Sequence, residues 1–235
     1  MENANKPKAA PELVGEFRKT IVEVPDVIRR ETSGIKLFGK TIHSLLFSTD
    51  IAIIKNTNAD AIIAVYPFTP HPAITNAIME VADIPVLCGV GGGTTQGQRS
   101  VNIALHAEFQ GAIAVVLNAP ASIETIRSVK DTIDIPVVVT IVSEHTDISE
   151  RIHAGADILN VSGGALTTSI VKKIRSHFPD LPIIATGGGT TESIMATIDA
   201  GANAITYTPP TNGELFRVKM ELYRAEENKK YNTII

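Results

Sequence analysis

Asp134-Ile135-Pro136-Val137, near the middle of the chain, has two relatives: Asp83-Ile84-Pro85-Val86 before it and Asp180-Leu181-Pro182-Ile183 after it. A second phrase falls between these copies: Ala59-Asp60-Ala61-Ile62, Gly111-Ala112-Ile113, Gly155-Ala156-Asp157-Ile158 and Gly201-Ala202-Asn203-Ala204-Ile205. The prolines lie 51 and 46 residues apart, and Asp60, Ala112, Asp157 and Asn203 lie 52, 45 and 46 apart. A fixed period of this length marks a repeated supersecondary unit. Each phrase opens a short run rich in Val, Ile and Ala. The runs are near-continuous in apolar residues, the pattern of parallel strands buried on both faces. A proline at a strand's first residue removes no ladder hydrogen bond. A glycine ahead of the next strand suits the left-handed stop of a helix. Each repeat therefore reads as two strand–helix units.

Worked outward, this reading places strands at 43–47, 61–66, 86–90, 112–118, 137–142, 158–162, 183–186 and 204–207. Helices follow at about 49–57, 72–82, 97–109, 122–133, 147–154, 166–177, 191–200 and 212–228. Strict alternation of eight units predicts an α/β fold, a closed (β/α)8 TIM barrel over residues 43–235. An open doubly wound sheet is the alternative, and the even repetition favours closure. Residues 1–42 precede the barrel as an N-terminal extension. There Leu13, Phe17, Ile21, Val24, Val27 and Ile28 recur at roughly helical spacing, with Pro25 placed to kink or divide the helix. The extension reads as a helical cap on the barrel floor, with an oligomer contact as the other reading.

Composition narrows the function classes. Hydrophobic residues make up 44% of the 235-residue chain, charged residues 20%, and the formal net charge is −4. That is an ordered globular chain, and its mild acidity lacks the electrostatic footprint of a nucleic-acid binder. Aromatic residues are 5% with no tryptophan, which argues against stacking platforms for sugars or bases. The single cysteine, Cys88, excludes an internal disulfide framework and a multi-cysteine metal site. The first residues contain no apolar signal core, and no apolar run approaches ~18 residues. The expectation is a cytoplasmic protein with no membrane partner.

In a barrel the active site belongs to the loops after each strand's C-terminal end. Those positions hold Ser48, Thr49 and Asp50; Tyr66, Thr69 and His71; Gly91-Gly92-Gly93-Thr94-Thr95; and Asn118. The later strands end in Thr140, Ser143, Glu144 and His145; in Asn160, Ser162, Gly163 and Gly164; in Thr186-Gly187-Gly188-Gly189-Thr190-Thr191; and in Thr206, Tyr207 and Thr208. The glycine runs after strands six and seven suit a phosphate, because bare backbone N–H groups can approach an anion at a helix start. The candidate anchors are Ser162, Gly163, Gly164, Gly187, Gly188, Gly189 and Thr190. Gly-Gly-Gly-Thr-Thr occurs at both 91–95 and 187–191, opposite across an eight-membered ring, so the first copy is either a second anion site or only a turn. No strand ends in a lysine, which disfavours Schiff-base chemistry. General acid–base work remains, with Glu144 and His145 adjacent and Asp50 and His71 across the mouth. Those four could also hold one divalent cation, although no fixed metal spacing is present. Asp50 serves equally well as a helix cap. Cys88 reads as a buried strand residue.

Ala185-Thr186-Gly187-Gly188-Gly189, with Ala200-Gly201-Ala202-Asn203-Ala204-Ile205 one helix later, resembles the end of phosphate-binding (β/α)8 barrels. The ribulose-phosphate-binding barrels, thiazole synthase and the ketodeoxyphosphogluconate aldolases carry similar phrases. The resemblance implies a substrate phosphate on Gly187, Gly188 and Gly189. It departs at Thr208-Pro209-Pro210-Thr211, where those families place a glycine and a small residue, since proline has no N–H to donate. The aldolase lysine is also absent. The expected function is a lyase or isomerase acting on a small phosphorylated metabolite without a redox cofactor. A phosphometabolite-sensing barrel and a flavin-phosphate-binding barrel are the alternatives, and a homo-oligomer is compatible with each.

Overall fold

The computed structural model describes residues 21–232, together with residues 11, 13 and 15. Eight parallel strands close into one barrel: β3 (Ser44–Phe47), β4 (Ala61–Ala64), β5 (Val86–Gly91), β6 (Ala114–Leu117), β7 (Val137–Ile141), β8 (Ile158–Val161), β9 (Ile183–Thr186) and β10 (Ala204–Tyr207). Helices follow each strand: α2 (Ile51–Lys55), α3 (Pro72–Val81), α4 (Gln98–Phe109), α5 (Ile123–Lys130), α6 (Ile148–His153), α7 (Thr167–His177), α8 (Thr191–Asp199) and α9 (Asn212–Asn232). The fold is the TIM barrel that the repeat predicts. Pro85, Pro136 and Pro182 stand one residue before β5, β7 and β9. Gly111, Gly155 and Gly201 take φ of +91°, +113° and +110° where a helix stops ahead of the next strand. No helix among the described residues is long and apolar enough to cross a membrane.

The strand registers fix how the interior fills. Going round the ring, the pairing advances by two residues within β4 (61 to 63), β6 (114 to 116), β8 (158 to 160) and β10 (204 to 206). That is the stagger of eight of this barrel class, and it stacks inward side chains in rings of four. Ala61, Ala114, Ile158 and Ala204 form the lowest ring, and Leu45, Leu87, Val138 and Ile184 the next. A second, larger core lies between the strands' outer faces and the helices.

Residues 21–42 differ from the expected helical cap. Helix α1 covers only Asp26–Glu31, with Pro25 at its N-cap position, because proline's fixed φ and missing N–H suit a helix start rather than its interior. Phe17 lies outside the described residues, and Leu13 is exposed. The floor is closed by an antiparallel hairpin, β1 (Ile35–Leu37) with β2 (Lys40–Ile42). Its Ile35, Leu37 and Ile42 join the interior core, while Lys36 and Lys40 face outward. The alternation in Ile35-Lys36-Leu37 is a strand pattern, which the helical reading of residues further upstream overlooked.

The second repeated phrase has a structural purpose. Asp60 accepts the backbone N–H groups of His43 and Ser44 and the Ser44 hydroxyl, all at 2.9–3.0 Å. Asp157 accepts from Val137 N–H at 2.8 Å, and Asn203 from Ile183 N–H at 2.9 Å. Each side chain before a strand thus ties down the start of the preceding one, and Arg29, Lys130 or Arg175 backs it. Burial opposes ionisation of Asp60, but its bonds to Ser44, His43 and Arg29 outweigh that and hold its pKa below 3.8. A folded pKa below the unfolded one gives stability that is full above pH 3.8 and is lost as pH falls through the folded value. Asp60→Ala should cost about 3 kcal/mol. Asp60→Asn should cost about 1 kcal/mol, since Asn203 performs the same task, while flattening the acid limb of stability against pH. Chemical denaturation at pH 3 to 7 would measure both; an unchanged acid limb in Asp60→Asn would remove Asp60 as its source.

Candidate functional site: an amide and hydroxyl cavity at the barrel mouth

The apolar filling stops at the third ring. Ile63 and Val116 share it with Asn160 and Thr206, which are only 8% and 6% exposed. Phe47, Gly89, Thr140 and Thr186 make the fourth ring, and Val65, Asn118, Ser162 and Thr208 the fifth. A cavity of about 210 Å³ opens here, lined by Phe47, Ile63 and Val65 on one side and by Asn118, Thr140, Asn160, Ser162, Thr186, Thr206 and Thr208 on the other. One wall is apolar and the other carries only amides and hydroxyls. No lining residue is an acid, a base or a cysteine.

The polar wall is wired in one direction. Asn160 Nδ2 donates to Thr140 Oγ1 at 3.2 Å, and the Thr140 hydroxyl donates to Asn118 Oδ1 at 3.1 Å. Asn160 Oδ1 is thereby left as a buried acceptor without a partner, and the Thr206 hydroxyl beside it is likewise unpartnered. At the other end, Asn118 Nδ2 donates to no group among the described residues. Turning both amides over would reverse the relay but still leave one end a donor and the other an acceptor. Buried polar atoms without partners cost about 1–3 kcal/mol each, so a water or a ligand group that reached these two would be held.

Gly89 has no side chain to fill the fourth ring, and a side lobe of about 320 Å³ opens beside it. The two spaces share Val65 and Asn118. Tyr66, Phe68, Thr69 and the first glycine run line the lobe. That run is a tight turn: Gly92 N–H bonds to Thr95 O at 2.8 Å, Thr95 N–H returns to Gly92 O at 3.2 Å, and Gly93 N–H goes to Pro120 O at 3.0 Å. The N–H groups of Gly92, Gly93 and Thr95 are thus taken up within the protein. Gly92 is obligatory: its φ is +114°, and a Cβ would lie 2.3 Å from Asn118 O. Gly92→Ala should therefore cost about 3 kcal/mol and displace Asn118 from the relay, a loss that equilibrium unfolding would record.

At the second run, Gly187 N–H bonds to Thr206 O at 3.3 Å and Thr190 N–H to Ser193 Oγ at 3.1 Å. Gly188 and Gly189 N–H groups have no acceptor among the described residues. Gly163 N–H is taken by Thr167 Oγ1 at 3.0 Å, while the Thr186 hydroxyl reaches Ser162 Oγ at 3.4 Å. Thr190 caps α8 through a reciprocal box with Ser193. The Glu192 carboxylate sits at the same helix start, held below the usual carboxylate range by its own backbone N–H and by the Thr190 hydroxyl. At the next loop Glu214 accepts the Thr211 N–H and hydroxyl, both at 2.8 Å. The first turns of α8 and α9 thus each carry an anion of the chain itself.

The four acid–base candidates are not brought together. Asp50 caps α2, accepting from Ala52 and Ile53 N–H groups at 2.9 and 3.3 Å. His71 caps α3 through Nδ1, with Ala73 N–H at 3.2 Å, and donates its own N–H to the Tyr66 hydroxyl at 2.8 Å. Glu144 lines an outer groove between α6 and α7, 3.8 Å from His145 Nε2, and neither residue lines the mouth. No group of three His, Cys, Asp or Glu among the described residues could hold a metal ion. Burial pushes the Cys88 thiol up to about 12, so it is inert at neutral pH.

No family model matches the chain, and no curated protein matches it. Solved structures do. A mandelate oxidase complexed with 3,3-difluoro-2-hydroxy-3-phenylpropionic acid aligns with a TM-score of 0.60 and 15% identity, over 77% of this chain and 69% of that one. A protein of Burkholderia cenocepacia provisionally named a phosphonomutase gives 0.57 and 15%, over 87% and 97%. One of Pseudomonas aeruginosa provisionally named a dihydrodipicolinate synthetase gives 0.54 and 14%, over 70% and 69%. At such identities the similarity establishes the TIM-barrel fold and nothing finer.

Proposed function

We propose that this barrel binds a small, uncharged, ring-bearing metabolite at its mouth, one that presents a hydrogen-bond donor and an acceptor on the same edge. The observation that carries the reading is the polar wall of the cavity, on which Asn160 Oδ1 and Thr206 Oγ1 have no partner among the described residues. Phe47, Ile63 and Val65 suit the apolar face of such a ligand, and the relay from Asn160 to Asn118 suits an amide-like edge. A formal charge would enter a cavity with no counter-ion, which disfavours acids and amines. With no titratable side chain on the central lining, the reading is of a binding or sensing barrel, acting in the cytoplasm without nucleic acid or membrane partners. Nicotinamide and nicotinate differ by one neutral amide against one carboxylate. At tenfold over its Kd the amide should raise the unfolding temperature by about 4 °C, and the acid should not. Equal shifts from the two, or none from any neutral amide, would remove the reading.

A second reading, a lyase or isomerase acting on a phosphorylated metabolite, is favoured by the unspent N–H groups of Gly188 and Gly189 beside Ser162 and Thr186. Proton transfer would then fall to Tyr66 or His71 at the rim, and Glu192 must swing away from the anion. Calorimetry with glycerol 3-phosphate tests it: the reading requires binding, tightened about tenfold in Glu192→Gln by loss of a like charge. Absence of phosphate-ester binding in both proteins ends it. Flavin binding predicts a yellow protein, and a colourless preparation removes that third reading.

A further inference from the structure

Helix α9 leaves the barrel. Leu215 packs against the outer core and Met220 is half-buried, but every described residue from Glu221 to Lys230 is exposed. Phe216, Val218, Leu222 and Tyr223 are 66%, 54%, 58% and 55% exposed, unlike any other helix here. Leu215, Val218, Leu222 and Ala225 form one stripe at helical spacing, and Phe216, Met220 and Tyr223 the stripe beside it. A helix with so little tertiary support is marginal in water. Its apolar faces call for cover.

We infer that a second copy of this chain supplies that cover, with α9 packed antiparallel on α9 across a two-fold axis at Leu222. Charge identifies the partner. The helix carries Arg217, Lys219, Arg224, Lys229 and Lys230 among Glu214, Glu221, Glu226 and Glu227, so neither an acidic nor a basic surface complements it. It complements itself. Lys219 lies three residues before the axis and Glu226 four after it, on the same flank of the Leu222 stripe. Antiparallel pairing sets each opposite the other in the second copy, twice by symmetry. Neither has an ion-pair partner among the described residues, where Lys230 pairs with Glu227. The same register stacks Leu222 on its copy, brings the two Tyr223 rings together, and lays Phe216 along the stem of the opposing Lys230.

Sedimentation velocity of the full chain at micromolar concentration tests the pairing. Wild type should sediment with twice the mass of one chain. Leu222→Glu should sediment as one chain with its far-ultraviolet dichroism retained. Lys219→Glu and Glu226→Lys should each weaken the dimer about tenfold, and the double exchange should return it to within about threefold of wild type. The charge exchanges keep the test decisive even if Leu222→Glu unfolds the helix. A monomeric wild type, a dimer untouched by Leu222→Glu, or a double exchange no tighter than the single ones would overturn the inference.

Discussion

Asn160→Leu should make the protein more stable and less able to bind. In the empty barrel Asn160 Oδ1 has no partner, and an unsatisfied buried acceptor costs about 1–3 kcal/mol. Leucine has a similar volume and would extend the apolar ring already formed by Ile63 and Val116. The bond to Thr140 is lost, but Thr140 still donates to Asn118. A net gain of about 1 kcal/mol, or roughly 2–4 °C in unfolding temperature, is expected. Binding moves the other way. The ligand's donor would face a methyl group, and affinity should fall about 100-fold. Scanning calorimetry and a titration with the neutral amide measure the two effects on the same samples. A destabilised Asn160→Leu that still binds would mean that Asn160 is an ordinary structural residue. Opposed signs of stability and binding are the mark of a site that holds strain for a ligand.

Leu45→Ala carries the largest expected loss of stability. Leu45 is fully buried in the second ring with Leu87, Val138 and Ile184, directly above the alanines of the first ring and the hairpin plug. Those small neighbours cannot collapse into the vacated space, because the strands on either side are held by the barrel's closed hydrogen-bond ring. The cost should approach about 4 kcal/mol, at the upper part of the range for buried leucines. Denaturant unfolding would register it as a lower midpoint with an unchanged slope. A loss below about 1 kcal/mol would indicate a looser interior than the register implies.

Most of the fold was legible because the repeat marks the start of each strand from β4 to β10. Pro85, Pro136 and Pro182 precede strands, and Asp60, Asp157 and Asn203 precede the strands whose neighbours they clamp. The hairpin floor was hidden by its shortness: three residues per strand, Ile35-Lys36-Leu37 and Lys40-Thr41-Ile42, give one alternation each. The site was legible only in part. Strand-end position collects the cavity-lining residues Asn118, Thr140, Asn160, Ser162, Thr186, Thr206 and Thr208, whereas charge points to Asp50, His71, Glu144 and His145, which lie outside that lining. Local hydrogen bonds absorb Asp50 and His71 as helix caps, a role that competes with catalysis at every helix start. The missed signal was phase. Asn160 follows Ile158 by two and Thr206 follows Ala204 by two, so both point into a barrel whose other third-ring residues are Ile63 and Val116. A polar residue at interior parity is a stronger pointer than a charged residue in a loop.

Mass spectrometry of gently purified protein tests most directly whether the barrel mouth holds a neutral ligand. Wild-type protein, denatured after rapid isolation, should release one uncharged, ring-bearing small molecule in near-stoichiometric amount, and Asn160→Leu isolated in parallel should release none. A phosphorylated or carboxylated molecule released equally from both proteins would contradict it.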